Sequence, residues 1–568
     1  MTKQYCIFLL ILISHFSWAQ KKYPKEDFIS PLNIPLILSG TFGELRTNHF
    51  HSGIDIKTQG KEGLPVIAIA DGEIVRIKVS PYGFGNALYL KHKNGYTSVY
   101  AHLRSFNPDI QNYVRSQQYI KKSFSVDLFP YSGSFNFKQG DTIALSGNSG
   151  GSGGPHLHFE IRDTRTEKII NPLYFYDVED SRKPELQDLQ FYDFDKGVLK
   201  ESKKYNLLKS ANGNYHLAGS GIIEVKGEPG FAIRTFDRLN KANNKNGVFS
   251  IELIIAGEKY HHFEMETFAF SETRFINSHI DYGQKQCCGR TMNKLLIEPN
   301  NRLSIYKIKE KLKLVQLLPD SVYPVEILVK DIKGNTSSLN FKILKKEETK
   351  GEGFFSYSDL PLFKYGQTNF FKNEFIDLVL PDGALYKDVS FEYLENPRCE
   401  DCYSPIYTLG SEEIPIHKYF NIKIKPSLNF DGDKNKLAIA SFKNGKIADF
   451  EGGKYENGFI VGRTRQLGDF AIVADTIAPR IRPVNFKNGS KISQLSKVKI
   501  KIADNFSGIK NYNAYMDGEW ILMTYDAKKK TLILDLKSEG LNRGKHSLKI
   551  EVSDGLNNIS IANYTLIY

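Results

Sequence analysis

Through most of its length the chain alternates apolar and polar positions with the two-residue period of a β-strand, and long helical stripes are absent from the pattern. From Pro65 the sequence runs Val66-Ile67-Ala68-Ile69-Ala70, then Asp71-Gly72, then Glu73-Ile74-Val75-Arg76-Ile77-Lys78-Val79, which predicts a hairpin. A second hairpin is predicted for residues 87–92 and 96–100 around Asn94-Gly95, because both turn residues tolerate positive φ. Residues 140–145 add a strand before a glycine-rich turn and the His-x-His strand at 156–160. The expectation is an all-β protein: an antiparallel-sheet domain first, then β-sandwich domains of immunoglobulin-like type.

Three charged or proline-bearing joints interrupt the strands, at 179–184, 345–351 and 475–479. They divide the chain into a signal segment (1–19), a first domain (20–180, with a long insertion at 107–138), a β-sandwich (181–347), a β-rich domain (348–475) and a terminal sandwich (476–568). A weak internal echo fits this partition. Val329-Lys330-Asp331-Ile332-Lys333-Gly334-Asn335 aligns without gaps with Val552-Ser553-Asp554-Gly555-Leu556-Asn557-Asn558, each followed by an alternating strand. A length of 568 residues agrees with about four domains of roughly 150 residues.

Residues 1–19 carry Lys3, an apolar run from Cys6 to Ile13 and Ser17-Trp18-Ala19, the grammar of a cleaved secretory signal. The expectation is an exported protein, periplasmic or extracellular, with no membrane span in the mature chain. Four cysteines then remain, Cys287-Cys288 and the pair in Cys399-Glu400-Asp401-Cys402, and in an oxidising compartment the latter reads as a structural disulfide. The formal charge of +12 is spread along the chain without a nucleic-acid motif, so nucleic acid is not an expected partner.

The chemistry sits in two fragments about a hundred residues apart, His51-Ser52-Gly53-Ile54-Asp55 and Gly153-Gly154-Pro155-His156-Leu157-His158-Phe159-Glu160. Zinc takes nitrogen and oxygen ligands, and a catalytic zinc keeps three protein ligands with the fourth position for water. His51, Asp55 and one of the two later histidines meet that count. On a strand His156 and His158 share a face, about 6.6 Å apart along the backbone. The helical His-Glu-x-x-His arrangement does not occur. His49 is the rival first ligand, expected at the surface or behind the site, and His92 is expected on the surface.

Taken in order, His51-x-Gly-x-Asp55, Tyr100-Ala101-His102-Leu103 and Gly154-Pro155-His156-Leu157-His158-Phe159-Glu160 resemble the lysostaphin or LytM-type zinc peptidases, over roughly residues 36–175. That resemblance implies one Zn²⁺ held by His51, Asp55 and His158, with His102 and His156 as unmetallated histidines handling the water proton and the transition-state charge. It also implies a metallo-endopeptidase acting on the peptide cross-links of peptidoglycan, the C-terminal β domains serving to position it or to meet envelope proteins. Two departures stand out: Phe42-Gly43-Glu44-Leu45-Arg46 lacks the tyrosine of relatives that cut glycine bridges, leaving Arg46 as a candidate for the oxyanion, and 107–138 is long enough for a lid or substrate wall. The alternatives are a non-catalytic wall-binding or amidase-activating scaffold, and an adhesion platform built on residues 181–568.

Overall fold

The computed structural model describes residues 23–211, 213–308, 317–347 and 360–568; the signal segment and residues 348–351 of the second joint lie outside the described residues. The first domain is built on an antiparallel sheet ordered Leu38–Gly40, Ile54–Lys57, His156–Asp163, Tyr96–Ala101, Ala87–His92, Gly72–Val79 and Val126–Leu128. Strand His156–Asp163 shows how alternation builds it. Leu157, Phe159 and Ile161 enter the core with Ile54, Leu88 and Tyr100, leaving His156, His158, Glu160 and Arg162 on the opposite face. Each fully buried side chain of this size contributes about 1.5–3 kcal/mol. A three-stranded sheet of Pro65–Ile67, Thr142–Leu145 and Ser105–Phe106 supplies Val66, Ile143, Ala144 and Phe106 to the same core.

The Asn94-Gly95 hairpin forms, pairing Leu88 with Tyr100 and Leu90 with Ser98. The hairpin predicted at Asp71-Gly72 does not. Pro65–Ile67 pairs with Thr142–Leu145, whereas Gly72–Val79 pairs with Ala87–His92, so the chain crosses between two sheets there. His92 is a second correction, for it is 3 % exposed. Its ring lies within hydrogen-bonding distance of Ser98 Oγ (2.8 Å) and Asp71 O (3.0 Å) and packs edge-on to Phe28, which ties the strand end to the crossing.

The insertion forms a helix, Pro108–Lys121, capped by Asn107, whose side chain accepts from the Asp109 N–H. Ile110, Val114 and Gln118 face the domain core, while Arg115 and Tyr119 meet the terminal sandwich. Arg115 pairs with Glu539 at 2.8 Å and donates to Ser538 O at 2.7 Å, and Tyr119 bonds Glu539 and sets its ring against Trp520. Lys528 of the same sandwich donates to Asn148 Oδ1 (3.1 Å) and Ser152 O (3.0 Å), bracing the loop before His156. The Glu539 side chain is only 5 % exposed, so Arg115→Ala strips a buried carboxylate of its cation at a cost of about 1.5–3 kcal/mol. Amide exchange over residues 536–539 should then accelerate at least tenfold; unchanged exchange would show that the helix does not hold the sandwich.

Beyond the first domain every described layer is β-rich. A ten-stranded sheet, mostly antiparallel and spanning Glu185–Asp195 to Thr336–Lys345, folds back on itself: Phe231 and Phe341, on strands that are not neighbours, touch at 5.4 Å. Its core also takes in Phe42, Phe50 and Ile169, and strand Ile169–Ile170 pairs with Thr267–Phe268. Residues 362–474 form two five-stranded sheets and one two-stranded sheet over a core including Leu378, Tyr407, Ile439 and Phe470, with Cys399 disulfide-bonded to Cys402. Cys287 and Cys288 are likewise joined. Residues 480–567 form a four- and a five-stranded sheet around Ile500, Leu534 and Ile550. Among the described residues no helix is long and apolar enough to cross a membrane.

Candidate metal centre

Strand register brings the centre together. His158 stands directly opposite Asp55 on one neighbouring strand and Ala101 on the other. Directly opposed side chains lie about 4.5–5.5 Å apart at Cβ, within reach of one ion. His51 arrives on the turn before Ile54–Lys57, held by hydrogen bonds from the Gly43 N–H to His51 O and from the His51 N–H to Glu44 O, both 2.9 Å. The turn needs glycine at position 53, because a Cβ there would stand 2.3 Å from Phe159 O. This is the physical content of the His-x-Gly-x-Asp spacing.

Three donor atoms converge. His51 Nε2 is 3.0 Å from Asp55 Oδ1 and 3.1 Å from His158 Nδ1, and His158 Nδ1 is 3.0 Å from Asp55 Oδ1. The outer ring nitrogens fix the tautomers. His51 Nδ1 donates to Thr41 O at 2.7 Å, and His158 Nε2 donates to Glu160 Oε1 at 3.1 Å. In their neutral form both rings therefore present inner lone pairs beside a carboxylate oxygen, in a site where His51, Asp55 and His158 are each under 8 % exposed. Burial disfavours a charged His158, but Asp55 and Glu160 outweigh it and hold its pKa up at about 9, so that without a metal a proton takes that place. Lone pairs facing one another repel unless a cation lies between them. Tetrahedral zinc would hold such donors about 3.3 Å apart, so the set fits a zinc ion with little adjustment.

Surrounding groups sharpen the set. Burial opposes the Asp55 carboxylate, but the three histidines around it outweigh that and hold its pKa well below the usual range. Arg46 donates to Asp55 Oδ2 at 3.3 Å and to Glu44 at 2.7 Å, so the residue considered for the oxyanion has its guanidinium on two carboxylates. Glu160, fully buried, accepts from Arg162 Nε at 2.8 Å as well as from His158. Burial raises and Arg162 and His158 lower its pKa, with a net fall to about 2. Sequence reasoning assigned neither Glu160 nor Arg162 a role. The available signal was polar residues at every second position from His156 to Arg162 on a strand whose other face is apolar.

His102 and His156 flank the donors, their rings 4.8 Å apart. His102 has φ +58°, and its Nδ1 donates to Ser149 O at 2.8 Å, leaving Nε2 as an acceptor. Burial, then His158 and His156, depress its pKa to about 3, which keeps the ring neutral at pH 7. His156 Nδ1 donates to Gly154 O at 2.9 Å and its Nε2 lies 3.4 Å from Asp55 Oδ1. His49 turns outward, with Nδ1 2.8 Å from Thr47 O, and takes no part. The five candidates His51, Asp55, His102, His156 and His158 thus share one site, and the 107–121 helix contributes none of the groups in it.

Comparison with known proteins gives the same direction. Residues 49–127 match the family model for peptidase family M23, and residues 361–475 that for the Zu5-like domain. The DD-carboxypeptidase/endopeptidase Mpg of Neisseria meningitidis serogroup B (strain ATCC 13091 / M2091) is 35% identical over 118 residues, 21% of each chain. The murein hydrolase activator NlpD of Escherichia coli (strain K12) is 34% identical over 125 residues, 22% of this chain and 26% of that protein. The catalytic domain of the peptidase lysostaphin from Staphylococcus simulans aligns with 26% identity and a TM-score of 0.19, covering 25% of this chain and 91% of that one. The chain spans about a fifth to a quarter of the length of the curated relatives it matches. The chain therefore contains, around residues 49–127, a domain matching peptidase family M23, and behind it, at 361–475, a stretch matching the Zu5-like domain.

Proposed function

We propose that the protein is an exported zinc endopeptidase that hydrolyses peptide cross-links of peptidoglycan, with His51, Asp55 and His158 as its metal ligands. The observation that carries this reading is the convergence of two imidazole nitrogens and one carboxylate oxygen within 3.1 Å. A zinc ion bound there supplies a water whose pKa falls from 15.7 to about 7 and a Lewis acid for the scissile carbonyl. The chain's own groups do the rest. His102 Nε2, its ring anchored through Nδ1, is free to take the water proton and pass it to the leaving amine. His156, when protonated at both ring nitrogens, presents an Nε2 N–H beside Asp55 to the oxygen that gains charge. The Phe84 ring, 5.0 Å from His158, walls the site on its apolar side.

The relatives' names, DD-carboxypeptidase/endopeptidase for Mpg and murein hydrolase activator for NlpD, support a peptidoglycan substrate. Zinc-loaded protein incubated with purified sacculi should convert cross-linked muropeptides to monomers; unchanged cross-linking would overturn the enzyme reading. The NlpD likeness supports one rival, a scaffold that activates another hydrolase. A scaffold would retain its biological effect after His102→Ala, whereas an enzyme loses turnover.

A further inference from the structure

The echo between 329–335 and 552–558 has a structural counterpart. In the hairpin between Val322–Lys330 and Thr336–Lys345, Asp331 accepts from the Asn335 N–H at 2.8 Å and from Asn335 Nδ2 at 2.6 Å, and its own N–H donates to Asn335 O. Asp554 makes the same three bonds with Asn558 in the hairpin between Lys545–Asp554 and Ile559–Ile567. Each asparagine also reaches back to a joint: Asn335 Nδ2 donates to Asp180 O at 3.3 Å, and Asn558 Nδ2 to Asp475 O at 3.0 Å. A third aspartate completes each group. Asp180, Asp237 and Asp331 have one carboxylate oxygen apiece within 4.8 Å of the others, and so do Asp475, Asp504 and Asp554.

The first cluster has a charge imbalance that the surrounding protein does not answer. Asp237 is 3 % exposed and its Oδ1 has no hydrogen-bond partner; Asp180 Oδ2 has none either. Among the described residues no lysine or arginine pairs with any of the three. Arg182 and Arg238, adjacent in sequence to the cluster, pair instead with Glu185 at 3.8 and 3.0 Å. The backbone at Arg238 and the charge of Arg182 favour the Asp237 carboxylate, but a buried carboxylate without a paired countercharge remains unfavourable unless a proton or a cation answers it. Burial and the charges of Asp180 and Asp331 push the Asp237 carboxyl up to about 7, so near neutrality a proton alone leaves it half ionised.

We propose that Asp180, Asp237 and Asp331 bind a calcium ion that pins the joint following the M23 domain to the closing hairpin of the next one. The donor set is all oxygen, which selects a hard cation over zinc. One oxygen from each carboxylate lies within 4.8 Å of the others, close enough to share one ion, and a cluster of protein carboxylates suits calcium better than magnesium, which usually keeps several waters. This site is separate from the nitrogen-bearing centre at His51, Asp55 and His158 and does not depend on the proposed activity.

The test is calorimetric titration of the full chain, stripped of calcium and loaded with equimolar zinc, with CaCl₂ and separately MgCl₂ up to about 5 mM, the range of extracellular calcium modules. Asp237→Asn should bind one calcium fewer than the wild type. It should also lose part of the roughly 5–10 °C rise in melting temperature expected at calcium a hundredfold above Kd. Absence of calcium binding by the wild type, equal stoichiometry in D237N, or magnesium binding as tight as calcium would each overturn the proposal. A proton as the sole occupant has its own signature, a wild type that ignores calcium and a D237N chain more stable than it. If D237N does not fold, Asp504→Asn separates the two clusters: it should keep the calcium held by Asp180, Asp237 and Asp331, and complete loss of calcium binding in that variant would overturn the proposal.

Discussion

His158→Ala is expected to remove zinc and hydrolysis together, while His102→Ala removes hydrolysis and leaves zinc in place. The two histidines differ in what their inner nitrogens meet. His158 Nδ1 lies 3.0 Å from Asp55 Oδ1 and 3.1 Å from His51 Nε2, so its loss leaves two protein donors, below the three that catalytic zinc sites use. His102 is anchored to the Ser149 carbonyl, and no donor atom of the triad bonds it. Its removal withdraws a proton acceptor, an effect of about 10²–10⁴ in rate. Zinc content by atomic absorption, read beside muropeptide release, separates the outcomes. A His158→Ala chain that keeps stoichiometric zinc, or a His102→Ala chain that keeps full turnover, would break the assignment of roles.

The ligands were legible because each depends on local spacing. His-x-Gly-x-Asp encodes a turn that only glycine can make against Phe159 O, and His-x-His encodes one strand face. The Asn94-Gly95 hairpin was legible for the same reason. Asp71-Gly72 misled because turn chemistry announces a change of direction without saying which sheet receives the next strand, and here Pro65–Ile67 belongs to the smaller one. The Pro108–Lys121 helix escaped notice since only Ile110 and Val114 carry its apolar face, although Asn107-Pro108 is a proper cap. His92 looked superficial beside its turn, yet burial came from Phe28, a contact 64 positions away that no window of sequence contains. The repeated Asp-x-x-x-Asn hairpin was visible as an echo, but its meeting with Asp180 and Asp237 needed the tertiary fold.

Glu160→Ala is the second large effect, on both stability and metal affinity. The carboxylate joins His158 to Arg162: Nε2 of the histidine donates to one oxygen, and Nε and Nη2 of the arginine to the other, at 2.8 and 2.5 Å. Arg162 is 5 % exposed, and without Glu160 its partners among the described residues are Glu167 at 3.5 Å and the faces of Tyr89 and Phe270. Breaking a buried pair by removing one partner costs about 3–5 kcal/mol, because the other charge stays behind. The same change frees the His158 ring to flip or to take the other tautomer, and the loss of such an outer-shell carboxylate weakens metal binding about 10–100-fold. Glu160→Gln distinguishes the two consequences. Its amide oxygen can still accept from His158 Nε2, so zinc affinity should recover in part, while its uncharged amide cannot neutralise Arg162 and stability should not. Competition with a chromogenic zinc chelator gives the first quantity and urea unfolding the second. Equal zinc affinity in E160A and the wild type would mean that the tautomer of His158 is set by something other than this carboxylate.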